Sequence, residues 1–333
     1  MRIALVTDAW APQINGVVRT LGMLVANLEA AGHAVAAITP DRFRTVPCPG
    51  YSEIRLALKP RRKVTAIIDA HQAQAIHIAT EGPLGMAARA LCLARGLPFT
   101  TAFHTKFPEY VAARFAVPIP WSYAWLKRFH APSRGVMVAT ETVRRELAAR
   151  GFDKLKPWGR GVDDRLFDPA KRAEDVGLPR PIFLFVGRIA VEKNLPAFLD
   201  LDLPGSKLVV GDGPMLDELR RRYPGAHFIG KREGDPLARV YAAADVFVFP
   251  SLTDTFGLVL LEALASGLPV AAYPVAGPLD VIGDSGVGVL DRDLRRAALA
   301  ALTIPRDRCR AFAQRHSWSA SAQQFLGNLA PFR

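Results

Sequence analysis

The sequence predicts an α/β protein built from two parallel sheets, each in its own domain. Three observations carry this. A chain of 333 residues suits roughly two domains of ~100–200 residues each. Short apolar runs that read as buried strands alternate with helix-length segments, in the strand–loop–helix–strand order of a parallel sheet. The series also starts twice, at RIALVTD and again at PIFLFVG, with a polar, Pro-containing segment between, as a linker requires. Half of the residues are hydrophobic, enough for two substantial cores and too many for a disordered chain.

The first series opens with the strand RIALVTD, a turn-rich loop from Trp10 to Gly16, a helix from about Val17 to Ala31 ended by Gly32, and the strand HAVAAIT. The loop PQING lacks the G-x-G-x-x-G spacing of a dinucleotide fold, so it argues against an NAD enzyme. It places Gly16 at a helix N-terminus, where backbone can come close to a phosphate or sugar; plain turn geometry explains the same glycine. Further strands are expected near Ile54–Leu58, Ala75–Ala79, Phe99–Phe103 and Gly135–Ala139, with helices near Val64–Gln72, Leu84–Arg95 and Glu141–Arg150. His104 follows FTTAF, at the carboxyl end of a strand, where open α/β sheets bind ligands. A structural histidine there is an equal alternative.

Charge is unevenly shared. Of the formal +12, Met1–Arg165 carries 23 Lys and Arg against 12 Asp and Glu, and the remainder 20 against 19. A basic first half points to an anionic partner such as phosphate, nucleic acid or an acidic bilayer. WSYAWLKRFH, Trp121 to His130, sets large aromatics beside Lys127 and Arg128, and Lys59–Lys63 adds a second basic cluster. That pattern suits a membrane interface, or rings packed in the core under a solvated basic edge. The basic residues are dispersed and no nucleic-acid module is visible, which disfavours a nucleic-acid binder. No apolar run reaches the ~18–20 residues of a membrane span, and the N-terminus lacks a signal-peptide layout, because Asp8 interrupts its apolar run. Three scattered cysteines, Cys48, Cys92 and Cys309, form neither a disulfide framework nor a metal pair, and fit a cytoplasmic setting.

The second series has strands at Ile182–Val186, Lys207–Val210, His227–Ile229, Val246–Phe249 and Val270–Ala272, and the tail Ser319–Leu329 is one more helix. GRIAVEKN follows the first strand and sets Arg188 and Lys193 five apart around a helix start, a site for a diphosphate. VVGDGPML follows the next, where Gly211 and Gly213 admit close backbone approach. FVFPSLTDTFGLVLLEALASGLPVAA, Phe247 to Ala272, reads as strand, tight loop, buried helix and strand. Within it, Asp254 precedes the helix and Glu262 interrupts its apolar text. A buried carboxylate is costly unless paired, so Glu262 is either half of a structural pair or the ligand of a hydroxyl-bearing molecule, with Asp254 and the N–H groups of Phe256, Gly257 and Leu258 facing the same pocket. These three motifs follow strands of one sheet and are expected on one edge of it.

GRIAVEKN, GDGP, ADVFVFPS and TDTFGLVLLEALASGLPV, with PQINGVVRT, FHTKFPEY and WGRGVDDRLFDP in the first half, resemble the family 4 retaining glycosyltransferases over nearly the whole chain. The resemblance implies the GT-B fold: two facing Rossmann-like domains with a cleft between them. It assigns residues 1–164 to an acceptor-binding domain and 165–317 to a nucleotide-sugar-binding domain, with a C-terminal helix in 318–333 packing back near the first. TDTFG and HTKFPEY are most similar to the bacterial glycolipid enzymes that glycosylate diacylglycerol, and to related α-mannosyltransferases.

Roles follow from the resemblance. Arg188 and Lys193 would hold the donor diphosphate, Glu262 the ribose, and Asp254 the transferred sugar. Phe256, Gly257 and Leu258 would offer backbone N–H groups; Gly211 and Gly213 would line the nucleotide site; Gly16 would approach the diphosphate; His104 would face the reacting sugar and acceptor. Asp254 departs from the E-x7-E pattern, which has Glu at the first position. The implied activity is transfer of a hexosyl unit from a nucleotide sugar, UDP-linked in preference to GDP-mannose, to a lipid such as diacylglycerol, with no cofactor and no metal. The enzyme would sit in the cytoplasm against the inner face of the membrane, its basic first domain on anionic lipid. Alternatives are a soluble or polysaccharide acceptor, or an epimerase or phosphorylase of the same fold.

Overall fold

The structure, a computed structural model, describes residues 1–13, 15–48, 51–104, 118–172, 177–254 and 256–332. Of HTKFPEY, only His104 lies within them; Ile14 of PQING, Thr255 of TDTFG and part of the interdomain segment also lie outside. The chain forms two compact units, Met1–Gly159 with Trp318–Arg333, and Arg160–Ser317. The junction falls earlier than the expected 164/165. Residues after Gly159 are tied into the second unit: Val162 N–H donates to His316 O, and Arg310 donates to Asp164 O.

In the first unit the strands are β1 (Arg2–Val6), β2 (Ala34–Ile38), β3 (Thr45–Cys48), β4 (Tyr51–Ala57), β5 (Ala75–Ile78), β6 (Thr100–Phe103), β7 (Val136–Val138) and β8 (Leu155–Pro157). Six of them form a parallel sheet in the order β2-β1-β5-β6-β7-β8. Alternate residues of β1 enter opposite cores. Ile3 and Leu5 meet Leu21, Leu24, Leu28 and Phe325, whereas Ala4 and Val6 meet Val64, Ile68, Ile78 and Leu84. A sheet covered on both faces needs such continuous apolar strands. The helix Gly16–Ala30 starts where Asn15 Oδ1 accepts the N–H groups of Val17 and Val18, each at 3.0 Å. The strand expected near Ile54–Leu58 is not part of this sheet. It is β4, paired antiparallel with β3 in a separate two-stranded ribbon. The helix Ile119–His130 buries Tyr123, Leu126 and Phe129, but Trp121 is 73% exposed and Trp125 46%. Core packing therefore accounts for only part of that aromatic cluster. The helix Trp318–Asn328 belongs to the first unit, where the Trp158 indole N–H donates to Ser321 Oγ at 3.2 Å.

The second unit has β9 (Ile182–Val186), β10 (Ser206–Val210), β11 (His227–Phe228), β12 (Val246–Phe249), β13 (Val270–Ala272) and β14 (Gly288–Leu290), all parallel in the order β11-β10-β9-β12-β13-β14. Two arginines of the helix Arg306–Ala313 act as internal clamps. Arg306 donates to the carbonyls of Ala242, Ala244 and Ser266, and Arg310 to those of Asp164, Phe167 and Ala265. Burial pulls the Arg306 guanidinium down to about 10. Ala242, Ala244, Ala265 and Ser266 lie at helix ends, where carbonyls have no intrahelical partner, and these cations supply one.

Asp8 does the converse in the first unit. Just beyond β1, it accepts from Leu84 N–H at 3.0 Å, Gly85 N–H at 3.4 Å and Thr80 Oγ1–H at 3.0 Å, capping the helix Pro83–Arg95 from another element. A β-carbon on Gly82 would stand 2.5 Å from the Asp8 carboxyl carbon, so glycine is needed there. Despite these donors, burial raises the Asp8 carboxyl from 3.8 to about 6. A folded-state pKa above the unfolded one favours the protonated fold. Its contribution is complete below pH 3.8 and is lost as pH rises through about 6, a difference of roughly 3 kcal/mol. Urea unfolding of the wild type and Asp8→Asn from pH 4 to 7 should show the wild type losing about that much relative to the variant as pH rises. A difference that stays flat with pH would place the Asp8 carboxyl at its ordinary value.

Candidate active site

In the second unit, Gly187 and Arg188 follow β9, Gly211–Gly213 follow β10, and Asp254, Phe256 and Gly257 lie between β12 and the helix Leu258–Ala265. Because β10, β9 and β12 are neighbours and parallel, all three loops leave the same carboxyl edge. This is the single edge expected from the sequence.

The glycines are there for backbone contact. A β-carbon on Gly211 would lie 1.9 Å from Gly187 O, and one on Gly213 would lie 2.3 Å from Ile189 O. Both residues have positive φ, +150° and +157°. Ile189 N–H donates to Asp212 O at 2.9 Å and Met215 N–H to Ile189 O at 3.1 Å, so the two loops are stitched together directly. The loop carrying the cations is thereby held by its neighbour. Arg188 is exposed, and Lys193 ends the short 3-10 turn Val191–Lys193.

Lys193 is brought to Asp254. Its Nζ donates to Oδ1 at 2.6 Å and Oδ2 at 2.8 Å, with both side chains about four-fifths buried (23% and 18% exposed). Two further contacts hold the loops on either side of this pair: Asn194 Nδ2 donates to Pro250 O at 3.2 Å, and Ser251 Oγ to Glu192 O at 3.4 Å. Gly257, at φ +81°, caps the helix whose first residue is Leu258. Phe256 packs against the adjoining core. Gly277 was not anticipated: its Cα faces Phe256 O and Asp254 O, which a β-carbon would meet at 2.9 and 3.0 Å. Its signal was the run AGPLD after the strand Val270–Ala272.

Glu262 is 3% exposed and accepts from the Tyr241 hydroxyl at 3.1 Å. Tyr241 is itself fully buried, its ring edge-on to Phe167. The Tyr241 phenol is one donor that holds this buried carboxylate in place.

In the first unit, Gly16 is the exposed first residue of its helix. His104 directly follows β6, half-buried, with its ring edge-on to Trp158 at 5.5 Å between centroids. Beside it in strand order, the segment after β5 carries Thr80 and Glu81. Sequence reading passed over Asp8, Glu81 and His130, which are discussed below. Among the described residues no group of three or more His, Cys, Asp or Glu could hold a metal ion, and no helix is long and apolar enough to cross a membrane.

Two parallel α/β units, with glycine-bearing loops on one sheet edge, are the architecture of a GT-B glycosyltransferase, and comparison with known proteins shows that class. Residues 14–166 match the family described as Glycosyltransferase Family 4, and residues 180–307 the family described as Glycosyl transferases group 1. The chain is 31% identical to a GDP-mannose-dependent alpha-mannosyltransferase of Mycolicibacterium smegmatis, over 90% of this chain and 87% of that protein. It is 30% identical to an alpha-monoglucosyldiacylglycerol synthase of Streptococcus pneumoniae, over 92% and 79%. Among solved structures, sucrose-phosphate synthase from Thermosynechococcus elongatus superposes with a TM-score of 0.79 at 24% identity, covering 98% of this chain and 97% of that one. Anabaena HepE in complex with UDP and glucose superposes with 0.71 at 16%, covering 98% of each. The chain belongs to glycosyltransferase family 4, and it is an enzyme that uses a nucleotide sugar.

The glycine assignment can be tested on stability alone. Gly211→Ala should lose about 3 kcal/mol or more in a urea titration, since a backbone carbonyl must move. Gly225→Ala, with open space at its β-carbon, should stay within about 0.5 kcal/mol of the wild type.

Proposed function

We propose that the protein transfers a hexosyl unit from a nucleotide sugar to the hydroxyl of a lipid such as diacylglycerol, with retention at the anomeric carbon. The observation that carries this is the clasp of Lys193 and Asp254 on an edge that also bears Arg188, Gly211, Gly213 and, in the adjoining helix, the buried carboxylate of Glu262. The donor diphosphate takes Lys193 and Arg188 as its cations. Asp254, released from Lys193, turns to hydroxyls of the sugar, and Glu262 accepts from the ribose. Phe256, Gly257 and Leu258 present backbone to sugar and phosphate, and the second unit is the donor domain. Gly16 and His104 act from the first, His104 near the reacting centre.

The C1–O bond to the departing phosphate breaks, and a bond forms from the acceptor oxygen to C1 on the same face. The acceptor's proton passes to the leaving phosphate. Charge separation is the barrier, and fixed cations lower it electrostatically. Arg188 and Lys193 supply that charge, so the reaction runs without a metal. A UDP-sugar is the favoured donor and GDP-mannose the alternative.

The lipid acceptor is supported by the relative named for making a glucosyldiacylglycerol and by the exposed Trp121 and Trp125 on a helix whose last turn holds the exposed Lys127 and Arg128. Aromatic and basic side chains together suit the interface of an anionic bilayer, where the protein works as a peripheral enzyme on the cytoplasmic side.

The deciding experiment is a screen of labelled nucleotide sugars against diacylglycerol in anionic micelles, with a chelator present, read by lipid mass. Nucleotide release in step with glycolipid is the expected result; nucleotide-sugar isomerisation with no glycolipid would sink the reading. Lys193→Ala should cut the turnover number by about 100- to 1,000-fold while the protein stays folded, its melting temperature falling by no more than a few degrees. Glu262→Ala should act elsewhere, weakening binding of the free nucleotide by about tenfold or more in calorimetry; unchanged affinity would return Glu262 to a structural role.

A further inference from the structure

We propose that Glu81, backed by the buried imidazole of His130, is the contact through which the first unit grips a neutral, hydroxyl-bearing acceptor. This rests on the glycosyl-transfer reading above and adds to it the acceptor's chemical class and the side chain that selects it.

Glu81 lies just past β5, at the carboxyl edge of the first sheet, between the strand ends that carry Asp8 and His104. Ligands of open parallel sheets sit along that edge. The segment bearing Glu81 is held rigidly from both sides. Asp8 N–H donates to Thr80 Oγ1 at 2.7 Å, Thr80 Oγ1 donates back to the Asp8 carboxylate, and that carboxylate also receives Leu84 and Gly85. One residue inside this fixed frame, Glu81 keeps a side chain 24% exposed.

Behind it stands His130, the last residue of its helix, with a side chain 1% exposed. Its Nδ1 lies 2.9 Å from Thr101 Oγ1 on β6, and its Nε2 lies 3.2 Å from Glu81 Oε1. The second contact is an approach of polar groups and not an aligned hydrogen bond. The result is a chain from Thr101 through a buried ring to one oxygen of a partly exposed carboxylate. His130 stands against Oε1 and limits where Glu81 can point, while Glu81 makes no side-chain hydrogen bond and no other ion pair among the described residues. Arrangements that orient a carboxylate so closely are expensive to build into a core and are characteristic of binding sites.

The sign of the charge names the ligand. The first half of the chain is strongly basic, yet this spot presents Glu81 beside the capping carboxylate of Asp8, whose own titration is raised in part by the charge of Glu81. A phosphate-bearing group would be repelled here. Hydroxyls donate to carboxylates, so a glycerol or sugar hydroxyl fits, whether free in solution or exposed on a neutral lipid.

The test measures donor and acceptor parameters separately, using the donor selected by the screen. Nucleotide release is followed without acceptor, with dioleoylglycerol in vesicles of phosphatidylcholine and phosphatidylserine, with dioleoylphosphatidylglycerol in the same vesicles, and with methyl α-glucoside in solution, so that every lipid arm has the same anionic surface. Glu81→Gln should lower kcat/KM for the neutral acceptor about tenfold or more. The donor KM and the slow acceptor-free release should stay within about twofold. His130→Gln should move the same acceptor parameter in the same direction, and the double variant should lose no more than Glu81→Gln alone, because His130 acts only through Glu81. Activity on dioleoylglycerol identifies a lipid source for the hydroxyl, and activity on methyl α-glucoside a soluble one; either supports the proposal when Glu81→Gln suppresses it. An unchanged acceptor kcat/KM, or an equal loss in acceptor-free release, would overturn the role of Glu81 while leaving glycosyl transfer intact. A wild-type enzyme that uses phosphatidylglycerol alone would overturn the neutral class. Release of nucleotide under no condition would overturn the transfer reading, and this inference with it.

Discussion

Two missing β-carbons hold the second unit's edge together. At Gly211 and Gly213 the chain passes so near the carbonyls of Gly187 and Ile189 that no side chain fits between. Everything on that edge inherits its position from this crossing. The loop after β9 is hydrogen-bonded to the loop after β10, and its far end is bonded to the loop after β12 through Lys193, Asn194 and Ser251. A cation on a long, flexible stem is thus delivered to one place by backbone geometry. Such pre-arrangement is what electrostatic catalysis needs, since a charge that must reorganise during reaction loses most of its effect.

Buried charges in both units are met chiefly by peptide dipoles. Asp8 takes amide N–H groups at a helix start, Arg306 takes carbonyls at helix ends, and Arg310 takes one such carbonyl, two loop carbonyls and the half-exposed carboxylate of Asp168. Such pairing binds elements distant in sequence without a second buried side-chain charge, avoiding much of the desolvation of an ion pair. Glu262 follows a related economy, held by the neutral hydroxyl of Tyr241. Lys193 and Asp254 are different: both are fully charged types, partly exposed, and matched to each other. A pair of that kind can exchange partners when an anionic ligand enters, which a buried peptide-capped charge cannot do.

How much could be read in advance followed the range of the interactions. Strands β9, β12 and β13 have the bounds expected, because long apolar runs closed by Gly or Pro are local signals. The strands β8, LKP, and β14, GVL, lack the unbroken apolar run that marks the equally short β13, and were not foreseen. The β3–β4 ribbon was misplaced in the parallel series, since one strand's text does not state its partner's direction. The types at the candidate site were legible: Arg188, Lys193, Gly211, Gly213, Asp254 and Glu262 all fall near or beyond strand ends. Their pairings were not. Lys193 meets Asp254 across 61 positions, and Asp8 meets Leu84 and Gly85 across 76 and 77. Asp8 read only as an interruption of an apolar run, and nothing local marks Glu81 and His130 as neighbours.

One topological feature bears on how the molecule is made. The first unit is discontinuous: Phe325, from the helix Trp318–Asn328, fills the same core as Ile3, Leu5 and Leu21. During synthesis the ribosome emits the whole second unit before the residues that close the first. The unit translated earlier is therefore completed later, and until then it presents the apolar flank of β1 and the helix Gly16–Ala30 without their cover. Nascent chains of this protein pass through a stage in which the second unit can be finished while the first still offers an open hydrophobic seam to chaperones.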